Sequence, residues 1–434
     1  MKTKTKTIIL LLLILFLISN VLVSCSLDGK DEEAKFISNL DKVGDAADYG
    51  IIETYLSTEE KIEDFEYLYK LIEGNYSFLE VNKRVNNIDW LGKKEKYIEI
   101  IEATENDAQF IRALGHIVRD LNNGHTSILP SIAYEDFYQH YYKYEEKYDN
   151  KVLLNEKTRL RYNASDEPRD IYDTRSHLNS DDPAYETDII IEDKVAYLKI
   201  KRMYGNRVEL DRNGILEFLR SVKDYEKLII DIRGNGGGFV DYWIRNIMQP
   251  LIKEKVELEY LSFFKGDYRD KYPIYKVKEE HRDINELDHN TLAKLPEEIK
   301  DYDYYTINKV TIEQGNTVGF KGQIYLLIDE GVYSASETFA AVAKDSGFAI
   351  LVGDTTGGDM VFEIIPFASL SNSGIVLNFS SELCINSDGT INIETKTTPH
   401  IKVNPIPNED LKKDKCVKAV IKDRKYYKNS KGDK

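Results

Sequence analysis

Three short stretches carry residue types and spacings that could do chemistry. In the first, Ser334-Ala335-Ser336-Glu337 follows an apolar run, 324–328, and the Asp329-Glu330-Gly331 turn. A run of that length, bounded by Gly322 and a turn, reads as a buried strand. Phe339, Ala340, Val342 and Ala343 then recur at helical spacing, with Gly347 as a stop. Acyl-transfer enzymes hold a nucleophilic hydroxyl in such a place, lifted from a tight turn at a helix N-terminus directly after a buried strand. The unsatisfied N–H groups and positive end of the helix favour an oxyanion there. The plainer use of Ser334 or Ser336 is as a helix cap.

The second stretch is Asn123-Gly124-His125-Thr126-Ser127. A periodic apolar stripe (Phe110, Ile111, Leu114, Ile117, Val118, Leu121) ends at Asn122-Asn123-Gly124, residues that tolerate left-handed backbone. His125 therefore sits just past a helix stop and at the mouth of an extended run, where a neutral imidazole can take up a proton. The third stretch is Asp231-Ile232-Arg233-Gly234-Asn235-Gly236-Gly237-Gly238, a strand end running into a glycine-rich turn. Such a turn lets backbone N–H groups approach an anion or a carbonyl oxygen. No Lys-Ser/Thr pair follows it, which disfavours a P-loop, and Phe239 stands where a dinucleotide turn needs its third glycine.

The elements that must position these residues follow from periodicity. Helices are predicted from Ser57, over 91–103 and over 107–121, making a small helical N-terminal domain over 51–125. Residues 126–185 are polar and tyrosine-rich and carry no readable pattern. A core over 186–405 opens with a hairpin turning at 192–194, then a helix over 210–222 and a strand at 227–231. The charged stretch 253–319 reads as an insertion over that core. Strands are expected at 348–352, 375–379 and 391–393, and a last helix at about 417–425 within a basic tail, 406–434.

The full chain has 434 residues and a formal charge of −16. That balance repels nucleic acid and argues against it as a partner. No Cys/His cluster has metal-ligand spacing, and no cofactor motif survives inspection. Lys2, Lys4 and Lys6 precede an apolar run at 8–17, which fits a secretory signal over 1–24. Its end, Leu22-Val23-Ser24-Cys25, resembles a bacterial lipobox and implies lipid on Cys25, with polar residues 25–50 as a tether. The expected location is the bacterial cell envelope, outside the cytoplasm. Cys384 and Cys416 could pair, but spacing alone does not decide it.

The order of "LNNGHTSI", "IIDIRGNGGG", "YSASETFA", "VGDTTGGD" and "IETKTTPH" resembles the successive signatures of the tail-specific protease family, which includes the C-terminal processing and tricorn core peptidases. The resemblance implies an α/β fold, with a crotonase/caseinolytic-protease-like β–α spiral core beside the helical N-terminal domain. It implies peptide or protein substrates, Ser334 as nucleophile, and Ala335 and Gly237 as oxyanion donors. Asp359 stands where the Ser/Lys branch of the family has its lysine. The chain instead resembles the tricorn-like branch, whose base is a histidine; His125 falls there, with Gly124 before it and Glu394 near the branch's acidic residue. Glu337 and Asp359 are supporting candidates, and no PDZ-like module is visible. The alternatives are a catalytically weak member that binds peptides or other ligands and, more remotely, an acyl-CoA enzyme using the same oxyanion geometry.

Overall fold

The computed structural model describes residues 29–40, 50–143, 151–164, 182–272 and 281–425. The signal segment, Cys25 and the end of the basic tail lie outside them. Within the expected tether, residues Gly29–Ile37 form a helix, α1. It docks on the helical domain by stacking Phe36 on His116 (ring centroids 4.1 Å apart) and by placing Glu33 between Lys93 (3.2 Å) and Lys96 (3.5 Å).

The helical domain comprises α2 (Thr58–Asn75), α3 (Leu79–Asn86), α4 (Lys94–Glu102) and α5 (Asp107–Arg119). A capping box joins Ser57 and Glu60 at the start of α2, and Asn106 caps α5 by accepting from Gln109 N–H. Phe65, Leu68, Ile72, Phe110, Leu114 and Ile117 are fully buried between these helices. Each such side chain contributes about 1.5–3 kcal/mol by burial. After α5 the chain gives β1 (Ser127–Ile128), α6 (Ser131–Lys143) and α7 (Glu156–Arg161), so the stretch that carried no readable pattern holds two helices.

An ion pair buried at both ends, Arg161 with Asp107 (2.6 Å), ties α7 to the start of α5. Burial alone would raise the Asp107 carboxyl. The guanidinium and the Thr54 N–H outweigh that and hold it down at about 2.

The central six-stranded sheet is built from β2 (Tyr185–Ile191), β3 (Val195–Ile200), β4 (Lys227–Asp231), β8 (Gln323–Ile328), β9 (Ile350–Gly353) and β13 (Ile401–Lys402). Its order is β13-β9-β8-β4-β3-β2, parallel throughout except for β2. Leu228, Ile230, Leu326 and Ile328 point into one apolar cluster, which also takes α8 (Arg207–Ser221) and α9 (Ala335–Asp345). Ile229, Tyr325, Leu327 and Val352 point the other way, onto α10 (Lys415–Lys422). Both faces are covered, which is why β4 and β8 read as continuous apolar runs rather than alternating ones.

Between β4 and β8 come β5 (Val256–Phe264), β6 (Arg282–Asp283) and β7 (Tyr304–Ile312), which with β12 (Leu383–Cys384) form a second, antiparallel sheet ordered β12-β5-β7-β6. Phe263, Tyr302 and Tyr305 from this region are buried in the same cluster as the N-terminal helices. The insertion thus completes the helical domain's core as well as bordering the central one. A third sheet, β1-β11-β10, uses β10 (Phe367–Ser369) and β11 (Val376–Asn378).

The strand expected at 391–393 does not form. Ile391 makes only an isolated bridge to Ile385, and Asn392–Thr395 is a helical turn. The reason is Asn392, which is buried and uses its amide on Glu337, Asn386 and Met360 N–H rather than lying on an exposed strand face. Cys384 and Cys416 are both buried and free, one in β12 and one in α10.

Candidate active site

β4 and β8 lie side by side, with Asp231 opposite Leu327, so their C-terminal ends deliver the glycine turn and the Ser334 turn to one place. That is where open parallel sheets bind ligands. The two turns are stitched together by hydrogen bonds. Asp329 Oδ1 accepts from Gly234 N–H (2.8 Å) and Gly331 N–H (3.0 Å), Tyr333 N–H donates to Asn235 O (3.3 Å), and Ser336 Oγ donates to Asn235 Oδ1 (2.9 Å). Burial raises the Asp329 carboxyl, and those two backbone N–H groups oppose the rise.

Ser334 is held at φ 58°, ψ −127°. A non-glycine residue in that region stores about 1–3 kcal/mol of backbone strain, and strained turns of this kind carry exposed nucleophiles. Its N–H reaches Gly358 O (3.4 Å), and its carbonyl accepts from Thr338 N–H (2.9 Å). No hydrogen bond engages Ser334 Oγ among the described residues, so it is not serving as a cap. Ser336, the other candidate, is fully buried and its hydroxyl is committed to Asn235. Ala335 is the first residue of α9, and its N–H has no acceptor within the helix.

The glycine turn packs directly on this corner. A Cβ on Gly237 would stand 2.7 Å from Tyr333 O and 2.9 Å from both Ala335 N and Ser334 Cβ, so only glycine fits at φ 95°. The Gly237 N–H itself donates to Asn235 Oδ1 (3.0 Å), which removes it from the expected oxyanion role. The exposed Gly238, next along, makes no N–H bond to protein among the described residues.

His125 arrives from the loop after α5. Asn123 Oδ1 accepts from His125 N–H (2.8 Å), and Asn378 Nδ2 donates to His125 O (2.6 Å). The imidazole Nδ1 stands 2.7 Å from Asp359 Oδ2. Against an ionised carboxylate, which only accepts, Nδ1 carries the proton and Nε2 is left as the free base. Asp359 is 2% exposed, and the same oxygen also receives Asn123 Nδ2 (3.0 Å) and the Tyr333 hydroxyl. The same hydroxyl oxygen, Tyr333 Oη, also accepts from Gly124 N–H (3.0 Å), and the ring lies 4.9 Å from the imidazole. Burial and the Asp359 carboxylate together push the Tyr333 phenol well above its usual range, so it remains a donor. Because Tyr333 immediately precedes Ser334, one residue couples the imidazole and its carboxylate to the Ser334 turn.

Glu394, expected beside the base, faces elsewhere. Its carboxylate pairs with Arg84 Nε (2.6 Å), whose other nitrogens hold Glu298. The carboxylate on His125 is Asp359, and this is the main correction to the sequence reading. Glu337 is fully buried in the first turn of α9, where Oε1 accepts from Thr397 Oγ1 (2.7 Å) and Asn392 Nδ2 (2.8 Å) while Oε2 has no partner. Burial pushes its carboxyl up. It braces the helix start and does not touch the base. Asn123, Asn235 and Tyr333 were not singled out from the sequence. The Tyr-Ser order at the elbow was the available signal for Tyr333.

Residues 194–403 match peptidase family S41. The chain is similar in fold to a candidate peptidase from Parabacteroides merdae, at 20% identity and a TM-score of 0.54, over 83% of this chain and 95% of that one. It is likewise similar to mature CPAF, at 13% identity and a TM-score of 0.50, over 80% of this chain and 92% of that one. No curated protein sequence matches it. The similarities in fold extend beyond the matched family core into the N-terminal helices.

Proposed function

We propose that this chain, a serine-type peptidase that belongs to peptidase family S41 through residues 194–403, cleaves peptide bonds through an acyl-enzyme on Ser334, with His125 as general base and Asp359 orienting it. His125 Nε2 takes the proton from Ser334 Oγ as the oxygen attacks the carbonyl carbon. The resulting oxyanion is met by Ala335 N–H and Gly238 N–H. Collapse of the intermediate expels the amine, which leaves with the proton held on His125. Water then attacks the ester by the same route in reverse, restoring Ser334 and releasing the acid. Removing one oxyanion donor costs on the order of 100–1000-fold in rate.

The observation that carries this reading is the combination of an unpartnered, strained Ser334 with an imidazole whose Nδ1 is fixed by a buried carboxylate. The test is labelling with a fluorophosphonate probe. Ser334→Ala should abolish labelling while the thermal midpoint stays near wild type, and Ser336→Ala should not. Persistent labelling of Ser334→Ala would remove Ser334 from the mechanism.

The N-terminus adds an anchor to this proposal. Cleavage before Cys25 and acylation of its sulfur and new amino group would hold the enzyme at a membrane surface in the cell envelope. Among the described residues no helix is long and apolar enough to cross a membrane. Mass spectrometry of the mature N-terminus should find acylated Cys25; an unmodified start elsewhere would exclude the anchor.

A further inference from the structure

Charge is distributed unevenly along the chain. Acids outnumber bases over the whole sequence, and the formal charge is −16. Residues 411–434 reverse that sign, with ten basic residues against three acidic, a balance of +7. Their described part, 411–425, carries six lysines and one arginine, and all seven are exposed. Its two acids are instead drawn into the fold, one at each end of α10. Asp414 is buried, caps the helix by accepting from Cys416 N–H (2.8 Å) and Val417 N–H (3.1 Å), and pairs with Arg233 (3.0 Å). Asp423 Oδ2 accepts from the Tyr325 hydroxyl (2.8 Å), and its carbonyl accepts from Lys227 Nζ (2.8 Å).

Between those ends the helix is two-faced. Cys416, Val417 and Val420 are buried in one cluster with Ile229, Tyr325, Leu327 and Val352 of the central sheet. Lys415, Lys418 and Lys422 recur at helical spacing on the other side and face solvent. Lys413 pairs with Asp410 (3.1 Å), and the exposed Glu409 and Asp410 border the stretch at its start. A lone exposed lysine needs no explanation. Here a fixed face of one sign stands on a chain of the opposite sign, with its own acids withdrawn. Like charges held together in this way repel one another, and an anionic plane relieves that repulsion.

Resting on the reading that Cys25 holds the chain at a bilayer, we propose that the outer face of α10 and its flanking basic residues dock on anionic phospholipid headgroups. Charge complementarity selects that partner, and the anchor supplies it at high local concentration. A lysine close to an anionic membrane surface strengthens binding by about fivefold. The contact also orients the enzyme. α10 packs on one face of the central sheet and α9 on the other. Once docked, the sheet lies between the bilayer and α9. The Ser334 turn that starts α9 is then on the far side of the sheet from the lipid, where peptides arrive from the aqueous phase.

The test reconstitutes the mature protein, as isolated from cells, into bilayers of phosphatidylcholine alone or mixed with phosphatidylglycerol. Lysines are then labelled with an amine-acylating reagent and read by mass spectrometry. Lys412, Lys415, Lys418 and Lys422 should label about fivefold more slowly on the anionic bilayer than on the neutral one, and added salt should remove the difference. Lys223, Lys253 and Lys309, exposed on other elements, should label equally on both. With Lys415→Gln, Lys418→Gln and Lys422→Gln combined, Lys412 should lose its protection, while turnover of a soluble peptide and the unfolding midpoint stay at wild-type values. Lys223→Gln, Lys253→Gln and Lys309→Gln combined remove the same charge and should leave the protection intact. Equal labelling of α10 on both bilayers, or equal effects of the two triple variants, would overturn the docking face. Tighter capture of single-stranded DNA than of anionic vesicles would also overturn it, in favour of nucleic acid. Failure of the anchor is read separately. With Cys25 found unmodified, flotation of the protein with anionic but not neutral vesicles would keep the docking face, and flotation with neither would remove it.

Discussion

The proposed nucleophile half of the site, around Ser334, and the proposed base half, around His125, are held in different ways. Ser334, Ala335 and the glycine turn come from two short stretches at the ends of adjacent parallel strands, inside one apolar cluster. Their mutual bonds are backbone bonds or bonds to two side chains within the same stretches, Asn235 and Asp329. His125 instead leaves a helix whose apolar side chains belong to the N-terminal cluster. It is fixed by side-chain bonds between residues more than 200 apart in sequence, Asn123 and His125 to Asp359 and Gly124 to Tyr333. Geometry in the first half is set by local covalent structure and strain. In the second it is set by how two cores dock, so damage far from the chemistry reaches the base first.

The bluntest way to break the base half is His125→Ala. Turnover of a peptide substrate should fall by about 10⁴-fold or more, with little change in the unfolding midpoint. Near-normal turnover would mean that another group activates Ser334.

Arg161→Ala probes the docking itself. It leaves Asp107 buried without its cation at the N-terminus of α5, the helix that leads into the His125 loop, and should cost about 3–5 kcal/mol by denaturant unfolding. Because the Asp107 carboxyl is depressed in the fold, the stability that it contributes is present above the ordinary carboxylate range and is lost as pH falls towards about 2. Arg161→Ala should therefore lie furthest from wild type at neutral pH and approach it in acid.

Tyr333→Phe separates the two halves more gently. It removes one donor from Asp359 and the acceptor for Gly124 N–H, and should lower kcat/KM by about tenfold while Ser334 remains open to labelling. An unchanged kcat/KM would mean that the tyrosine is packing only.

The smallest expected effect lies in the nucleophile half. The Glu337 carboxyl is raised in the fold, so the protonated form is favoured there, and stability drains away as pH rises above its ordinary value of 4.5. Glu337→Gln should be more stable than wild type at neutral pH, by on the order of 1 kcal/mol, with the gap closing as pH falls towards that value. A gap that widens in acid would reverse the assignment.

What the sequence made legible follows the same division. β4, β8, the glycine turn and α9 are contiguous and doubly buried, so their apolar runs and glycine stops announce them. Ser334 could be read from its place between a strand and a helix. The partner of His125 could not, because Asp359 is brought to it across 234 residues and its local context, a glycine-rich turn, says nothing of an imidazole. Glu394 looked better placed by order along the chain, but Arg84, in another domain's helix, claims it. α1 escaped notice because its hold is tertiary, through one aromatic stack and the Glu33 pairs. The turn after Ile391 was misread because its alternating apolar residues mimic a strand, while buried Asn392 bends the chain.

The central claim is that Asp359, and not Glu394, serves the base. The direct measurement is peptide turnover of Asp359→Asn and Glu394→Gln side by side, each with its unfolding midpoint. Asp359→Asn should lose on the order of 10³–10⁴-fold in kcat, because an amide can donate to Nδ1 and leave the proton on the wrong nitrogen. Glu394→Gln should stay within about threefold of wild type, since it alters only a part-exposed pair with Arg84. The opposite ranking, with Glu394→Gln inactive and Asp359→Asn near wild type, would contradict the account.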